Sequence, residues 1–225
     1  MSETRTIPMT PQVSSWKMLQ AMVGIGVMCA LLIVVTYEGT LPRVKRLRAE
    51  ALEKAVFRVI PGSEKSKIFV LQGESFSPLE GEVGNQQVVY AGYNATNQLV
   101  GVAIEASGQG YADKIKILYG YNPSEQTVVG FYVLESKETP GLGDKIEKDP
   151  TFLANFDALD VSLNEHNEIK NIVIPVKNGM KENPWEVDAI TGATISSRAI
   201  GNTIGTSSQF WVPLIYKNKD ALTYE

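Results

Sequence analysis

The chain has 225 residues and a formal net charge of −4. This length accommodates one ordinary domain with appendages, and the acidic balance gives no overall basic character of the kind that binds nucleic acid. The single cysteine, Cys29, excludes an intrachain disulfide and any zinc or iron–sulfur site that several cysteines of this chain would have to hold.

The N-terminal segment has the pattern of a membrane anchor. Residues 1–17 are polar and are predicted to form a short tail. Residues 18–37 contain no charged side chain, and a helix of about 20 residues spans roughly 30 Å, the thickness of the hydrocarbon core of a bilayer. A cleaved signal peptide would have a shorter apolar region and a small-x-small cleavage site, which residues 35–38 do not supply. The sequence therefore predicts one uncleaved transmembrane helix over residues 18–37.

The charges that flank this helix bear on its orientation. Arg5 and Lys17 precede it, whereas a larger cluster of lysine and arginine lies within residues 43–48. The positive-inside rule, read from these charges, predicts that the C-terminal part of the chain lies in the cytoplasm. Long domains can be translocated despite flanking charge, so the rule does not decide the orientation by itself.

A connecting helix is predicted over residues 38–60. From Leu41 to Ile60 apolar residues recur at helical spacing with charged residues between them, and Pro61-Gly62 ends the pattern. An amphipathic helix of this kind could lie along the membrane surface or along a neighbouring protein of a complex. It could equally be a packed connecting helix with a solvated charged face.

From Ser66 onward the pattern changes to strands rich in valine, isoleucine and tyrosine, separated by glycine, asparagine and proline. The predicted strands are Lys67–Leu71, Gln87–Tyr93, Leu99–Ala106, Lys114–Tyr121, Thr127–Glu135 and Ile169–Val176. Two helices are predicted as well, a short one over Asp149–Phe156 and a long one over Thr194–Trp211. The fold class is therefore α+β: a single N-terminal transmembrane helix, then an antiparallel-sheet domain over residues 61–225 with a C-terminal helix.

A local repeat predicts how part of this sheet is connected. Residues 90–94 (YAGYN) lead through a polar turn to residues 99–101 (LVG), and residues 119–122 (YGYN) lead through another to residues 128–130 (VVG). Each copy has the pattern of a strand, a turn and a strand. We expect two similar hairpins side by side in one antiparallel sheet.

The most informative motif is the segment 188–196 (DAITGATIS). Thr194 stands at or near the start of the last helix, where unpaired backbone N–H groups and the helix dipole favour an anion such as phosphate. Gly192 and Ala193 leave room for a bulky group to approach the backbone. The simpler alternative is that Thr191 or Thr194 is only an N-cap.

A second motif lies at residues 138–144 (ETPGLGD). Proline fixes φ, and the glycines that follow allow positive φ and close approach of a ligand to the backbone. Such a loop could offer backbone N–H groups to a ring and press Leu142 against its face, with Glu138, Thr139 and Lys145 as polar neighbours. The alternative is a tight loop that links a strand to a helix.

Together the two motifs resemble those of the FMN-binding subunits in the Rnf and Nqr families of ion-pumping redox complexes. In those families a separate transferase esterifies the FMN phosphate onto the last threonine of the first motif, which corresponds to Thr194. The resemblance implies cofactor contacts from Thr191, Gly192, Ala193, Thr194 and Ser196, and from Glu138, Thr139, Gly141, Leu142 and Lys145. It implies that Asp188 belongs to the flavinylation recognition motif. In the family a histidine often precedes the second motif, whereas this chain has Ser136 and Lys137 there.

The resemblance also implies a function. Similarity to the G subunit of the Rnf complex implies an electron-transfer subunit of a ferredoxin- and NAD-linked, ion-translocating oxidoreductase, with covalent FMN on the periplasmic side of a bacterial inner membrane. Its partners would be the other membrane and redox subunits, and the flavin transferase during maturation. One transmembrane helix makes no ion path, so no complete activity is expected of this chain alone.

Two alternatives remain open at this stage. The C subunit of the sodium-pumping NADH:quinone reductase shares the flavinylation motif. A membrane-anchored binding module without flavin would use Thr194 only as a helix cap.

Other residues carry weaker predictions. Tyr111 and Trp185 could border the flavin ring or belong to the ordinary core or rim. Ser197 could hydrogen-bond locally or be a solvated helix residue. His166 lies in a polar turn and is predicted to be a surface residue, with no metal site expected. The sequence contains no Walker loop and no dinucleotide-binding glycine motif, so it predicts no independent nicotinamide site.

Overall fold

The computed structural model describes residues 14–79, 81, 83–84 and 86–224. Most of the predicted tail, residues 1–13, lies outside the described residues. The chain divides into two compact units, Met1–Ala49 and Glu50–Glu225. The second unit begins ahead of residue 61, the predicted start of the domain.

One helix, α1 (Ser15–Val59), contains both the predicted membrane span and the predicted connecting segment. Among the described residues it is the helix that is long and apolar enough to cross a membrane. The hydroxyl groups of Thr36 and Thr40 donate to the carbonyls of Leu32 and Thr36, at 2.7 and 2.8 Å. These polar groups are therefore satisfied within the helix, as a lipid environment requires.

In its described residues, the second unit is built on an antiparallel sheet of seven strands in the order β2-β1-β3-β4-β5-β6-β7, which confirms the predicted architecture. The strands are β1 (Lys65–Gln72), β2 (Ser75–Pro78), β3 (Val88–Tyr93), β4 (Leu99–Gln109), β5 (Lys114–Asn122), β6 (Thr127–Glu135) and β7 (Leu159–Asp160). Two further strands, β8 (Ile174–Val176) and β9 (Glu186–Asp188), pair in parallel in a separate small sheet.

The sixth predicted strand, Ile169–Val176, is wrong over most of its length. Only Ile174–Val176 is a strand, and Ile169 makes an isolated bridge to Leu163. The chain at Val173 passes directly over a helix, where a Cβ on Gly205 would collide with the carbonyl oxygen of Val173. Tertiary packing on that helix therefore shapes this segment, although its composition favours a strand.

The repeat forms the two predicted hairpins, β3–β4 and β5–β6. Each turn begins at an asparagine whose side chain organises it. The Asn94 Oδ1 atom accepts the N–H groups of Thr96 and Gln98, at 3.0 and 2.9 Å. Asn122 Oδ1 accepts those of Ser124 and Glu125, at 2.9 and 3.3 Å. The same local hydrogen bonding thus explains the similarity of the two copies.

The glycines of the repeat hold the end of α1. Gly92, Gly101, Gly120 and Gly130 lie on four neighbouring strands, and we call them the glycine seat. A Cβ on Gly92 or Gly101 would stand 2.9 Å from the Ile60 side chain, and one on Gly120 or Gly130 would collide with the Val59 carbonyl. The end of α1 is therefore part of the sheet unit, which is why that unit begins at Glu50 and not at residue 61.

The long C-terminal helix, α3 (Thr194–Lys217), covers the other face of the sheet. It continues past the predicted end at Trp211 because Val212 and Ile215 are fully buried in the main core. The short predicted helix is α2 (Pro150–Leu153), which a 3-10 turn extends to Phe156. Asp149 caps α2 by accepting the N–H groups of Thr151 and Phe152, at 2.9 and 3.1 Å. Two more 3-10 turns span Gly143–Glu147 and Lys219–Ala221.

Candidate functional site

A cavity of about 330 Å³ lies at the start of α3. Three segments line it: the β4–β5 connection, the loop that follows β6, and the residues around the start of α3. The lining residues are Tyr111, Glu138, Thr139, Leu142, Gly143, Gly192, Ala193, Thr194, Ile195 and Ser196. Both sequence motifs therefore meet at one cavity, although they are far apart in the chain.

The turn before α3 leaves the helix N-terminus without a side-chain cap. Gly192 has a φ of +86°, which favours glycine, and the N–H of Ala193 donates to the Ile190 carbonyl at 3.1 Å. Ala193 occupies the N-cap position and makes no capping side-chain hydrogen bond. The alternative that Thr191 or Thr194 is the N-cap is therefore wrong. The first N–H groups of α3 have no intrahelical acceptor and face the cavity end of the helix.

Thr194 is the first residue of α3 and is exposed. Its hydroxyl donates to the Ile190 carbonyl at 3.3 Å, a long and therefore weak hydrogen bond. Thr194 thus lines the cavity, and this bond holds its hydroxyl only weakly.

Ser197 is buried and holds this turn by two hydrogen bonds. Its hydroxyl donates to the Ala193 carbonyl at 2.9 Å and accepts the N–H of Ile190 at 3.0 Å. The predicted local hydrogen bond is therefore confirmed, and the solvated alternative is wrong. These bonds hold the backbone that presents Thr194.

Lys145 brings a positive charge to the same turn. Its Nζ atom stands 3.9 Å from the position that a Cβ on Gly192 would occupy. Among the ion pairs between described residues, none includes Lys145. The ammonium group and the N-terminus of α3 are both positive, and together they favour a bound anion beside Thr194.

The loop after β6 forms the opposite wall. The N–H groups of Leu142 and Asp144 both donate to the Thr139 carbonyl, at 3.1 and 3.4 Å, and Gly141 has a φ of +79°. This tight turn leaves the Leu142 side chain 54% exposed at the cavity. Tyr111 and Ile195 are similarly exposed, at 69% and 55%. Three large apolar side chains thus rim the opening, as expected where a flat apolar ligand binds.

Glu138 lies at the base of this loop and is buried. Its carboxylate accepts the N–H of Ala112 at 3.0 Å and the hydroxyl of Ser196 at 2.5 Å. The side chain that was predicted as a polar neighbour of the ligand therefore bonds mainly to the protein.

Comparisons with known proteins agree with this geometry. Residues 110–206, which include all of the cavity lining, match the FMN-binding domain family. The G subunit of the ion-translocating oxidoreductase complex of Methanosarcina acetivorans is 30% identical over 199 residues, which cover 86% of this chain and 93% of that relative. The chain belongs to this G-subunit family. The G subunit of the Na(+)-translocating ferredoxin:NAD(+) oxidoreductase complex of Acetobacterium woodii is 28% identical over 171 residues, 73% of this chain and 72% of that protein.

Solved structures show the same fold as this chain. NqrC of Shewanella oneidensis aligns with a TM-score of 0.58 and 19% identity, covering 74% of this chain and 95% of that one. The C subunit of the Na(+)-translocating NADH-quinone reductase of Parabacteroides distasonis aligns with a TM-score of 0.58 and 21% identity, covering 76% and 96%. At these identities the likeness concerns the fold alone.

Two independent observations show that the residues of this cavity fit an FMN group. A Cβ at Gly192 would point toward the Lys145 ammonium, so the bare glycine leaves a positively charged cradle open at the helix terminus. The rim of Tyr111, Leu142 and Ile195 offers an apolar slot next to that cradle. A phosphate with an attached flat ring has both features.

Some predicted site residues lie outside the lining of the cavity. They are Thr191, which is exposed, Gly141, Lys145 and Trp185. Tyr111 does line it, whereas the His166 turn is elsewhere: its N–H donates to Asn164 Oδ1 at 2.9 Å.

Asp188 also lies outside the lining, at the end of β9. Its carboxylate accepts the N–H groups of Gly179 and Met180 at 2.9 and 3.3 Å, and its own N–H and C=O bond to the Asn155 side chain at 3.0 and 3.3 Å. In the folded chain Asp188 thus links three segments by hydrogen bonds: β9, residues 179–180 and the 3-10 turn that contains Asn155.

Ile195 and Gly110 were missed by sequence reasoning. Ile195 occupies the variable position of the first motif, where the motif itself gives no signal. Gly110 lies in a short connection far from either motif, and its importance appears only because a Cβ there would collide with the Glu138 carboxylate.

Proposed function

We propose that this protein is the FMN-carrying electron-transfer subunit of a membrane ion-translocating oxidoreductase of the Rnf type. In this proposal the FMN is bound covalently, through a phosphoester to Thr194. The observation that carries the proposal is the exposed Thr194 hydroxyl at an uncapped helix N-terminus, next to Lys145 and on the wall of an apolar-rimmed cavity.

The phosphate would lie at the turn before α3. A phosphodiester keeps one negative charge, and the N–H groups of the first helical turn and the Lys145 ammonium favour it there. Gly192 leaves the backbone open to its approach. The Thr191 and Ala193 backbone would border the phosphate on the other side.

The flavin ring would lie in the slot at the cavity rim. Leu142 would pack on one face and Ile195 or Tyr111 on the other, and the backbone of Thr139 would face the polar edge. FMN supplies the redox chemistry when bound, because a flavin can accept and pass on electrons one at a time. The task of the protein is to hold the ring at the rim, where electron partners can approach it.

Attachment requires a separate transferase, since a neutral hydroxyl does not attack phosphorus at a useful rate by itself. The Thr194 oxygen would form a bond to the phosphorus of the FMN half of FAD, the bond to AMP would break, and the hydroxyl proton would leave to a base of the transferase. The segment 188–196 would be the part of the chain that this enzyme recognises.

The membrane helix would keep the flavin near its partners. The name of the A. woodii relative combines Na⁺ translocation with ferredoxin and NAD⁺, so we propose that this chain serves a complex of that class with other redox and membrane subunits. Residues 1–17 would face the cytoplasm and the FMN-binding domain the periplasm. Tethering raises the effective concentration of the flavin near its partners, and a covalent bond prevents its loss outside the cytoplasm.

A denaturing gel under ultraviolet light tests the proposal. Full-length protein made together with a flavin transferase should give a fluorescent band, and Thr194→Val should give none. Thr206→Val is the matched control, because Thr206 is an exposed threonine on the same helix. A dark wild-type band, or an undiminished band from Thr194→Val, would contradict the proposal.

A further inference from the structure

The buried carboxylate of Glu138 joins all three walls of the cavity. Glu138 is 7% exposed and stands at the base of the loop after β6. One carboxylate oxygen accepts the N–H of Ala112, next to Tyr111 of the rim, at 3.0 Å. The other accepts the hydroxyl of Ser196, in the first turn of α3, at 2.5 Å. The same side chain is thus the common partner of the segments that carry Tyr111, Leu142 and Thr194.

Two glycines make the space for this carboxylate. A Cβ on Gly110 or on Gly143 would collide with one of the Glu138 oxygens. A Cβ on Gly143 would also stand 2.8 Å from the Glu138 Cβ. The carboxylate therefore occupies space that only glycine at these two positions leaves open.

Ser196 is the hydrogen-bond donor in the second of these contacts. Its side chain is 2% exposed, and its hydroxyl proton is donated to Glu138. A buried carboxylate loses much of its hydration and depends on such donors, and hydrogen bonds to a charged acceptor are stronger than neutral ones. The hydroxyl of Ser196 therefore holds Glu138 in place.

We propose that Glu138 is a positioning residue for the flavin, and that Ser196, the last residue of the first motif, acts through Glu138 in the finished protein. The inference rests on the proposed function, because it concerns the cavity that would hold the FMN ring. The two hydrogen bonds of the Glu138 carboxylate, to Ala112 and to Ser196, are called the clamp here. The clamp keeps Leu142, Tyr111 and the start of α3 at a fixed separation. Without it the slot loosens and the ring loses its fixed orientation.

The experiment uses full-length protein made together with the transferase. Glu138→Ala removes both hydrogen bonds of the clamp, and Ser196→Ala removes the one that reaches α3. Glu138→Gln keeps its shape: the amide oxygen accepts from Ala112, and the amide NH₂ donates to the Ser196 hydroxyl, which can rotate to accept. Ser207→Ala is the matched control, since the Ser207 hydroxyl on the same helix also contacts a side chain of the sheet, 2.8 Å from the Tyr119 hydroxyl.

The readout is the visible circular dichroism of the flavin, with intact mass and far-ultraviolet dichroism recorded on the same samples. Visible dichroism reports how rigidly an asymmetric protein site holds the ring. We expect Glu138→Ala and Ser196→Ala to lose most of the band while the fold remains. Glu138→Gln and Ser207→Ala should keep it. The double variant Glu138→Ala with Ser196→Ala should lose no more than Glu138→Ala alone, because Glu138→Ala already breaks the contact with Ser196.

Three results would overturn these assignments in different ways. If the single variants Glu138→Ala and Ser196→Ala both carry flavin and both keep the full visible band, the positioning role of Glu138 is overturned and the proposed function is not. Loss of flavin mass from Ser196→Ala, with a full spectrum in Glu138→Ala, would also overturn that role, because Ser196 would then act on the transferase. A wild-type protein without flavin mass would instead overturn the proposed function. Should Glu138→Ala fail to fold, Ser196→Ala and Glu138→Gln decide the outcome in the same way.

Discussion

At the level of single residues, the turn before α3 collects positive potential at one point. The unpaired N–H groups of the helix start follow Gly192 in the chain, and the Lys145 Nζ atom stands 3.9 Å from the position of a Cβ on Gly192. The sequence alone predicted Gly192, Ala193 and Thr194 as site residues, because the motif is short and continuous. It named Lys145 only as a neighbour of the second motif. The short distance from Lys145 to the turn depends on the fold, since the two are far apart in the sequence.

Lys145 is expected to promote flavin attachment by attracting the phosphate. Lys145→Ala should lower the rate of flavinylation by roughly tenfold at limiting transferase, the loss that corresponds to one charge-assisted hydrogen bond. Lys148→Ala is the control, because Lys148 follows the same 3-10 turn but pairs with Asp144 at 2.6 Å. Equal rates in the wild type and Lys145→Ala would mean that this ammonium does not meet the phosphate. The rate is read from the growth of the fluorescent band.

Glu186, two residues before Asp188, predicts a pH dependence of stability. The N–H of Glu182 donates to its carboxylate at 2.8 Å, as do the side chain and N–H of Asn183, and these bonds lower the pKa of Glu186 from its ordinary value of 4.5. A carboxyl whose pKa is lower in the folded state stabilises the fold above its unfolded pKa and loses this effect as the pH falls through the folded value.

The wild type should therefore be more stable than Glu186→Gln at neutral pH, and the difference should shrink as the pH falls below about 4.5. Melting temperatures of both proteins between pH 7 and pH 3 measure this. A difference that stays constant over that range would show that the charge of Glu186 contributes nothing to the fold.

At the level of elements, the repeat explains more than its two hairpins. Its asparagines organise the turns by local hydrogen bonds, and this part of the fold could be predicted from sequence. Its glycines form the seat for Val59 and Ile60. That role could not be predicted, because it depends on a helix end that packs across four strands. The strands β2, β7 and β9 were missed since runs of two to four residues are too short to show alternation.

The glycine seat predicts that even a methyl side chain at one of its positions strongly lowers the stability of the fold. A Cβ on Gly120 would collide with the backbone carbonyl of Val59, which no side-chain rotation can relieve. Gly120→Ala should lower the free energy of unfolding of the sheet unit by about 3 kcal/mol, the upper part of the range for overpacked cores. Gly39→Ala is the control, because nothing lies within 4 Å of a Cβ there. Denaturant unfolding in detergent measures both, and equal midpoints would mean that the seat adapts freely.

At the level of the whole molecule, the orientation in the membrane is where two sequence indications disagree. The basic cluster after the span predicts a cytoplasmic domain, and the proposed function requires a periplasmic one. The long apolar part of α1 supports a membrane anchor in either orientation. Membership of the G-subunit family bears on the function but leaves the side of the membrane to experiment.

Protease accessibility tests the orientation directly. Protease added to spheroplasts should digest the domain that follows α1 and spare a cytoplasmic marker protein. An intact domain in spheroplasts, digested only after lysis, would support the positive-inside rule against the periplasmic assignment.

The central claim is that one hydroxyl group, on Thr194, carries the flavin. Mass spectrometry of the peptide that contains Thr194, from full-length protein made with its transferase, measures this most directly. The account predicts a mass increase of one FMN group, with fragment ions that locate it on Thr194. An unmodified peptide, or an FMN group located on Thr191 or Ser196, would contradict it.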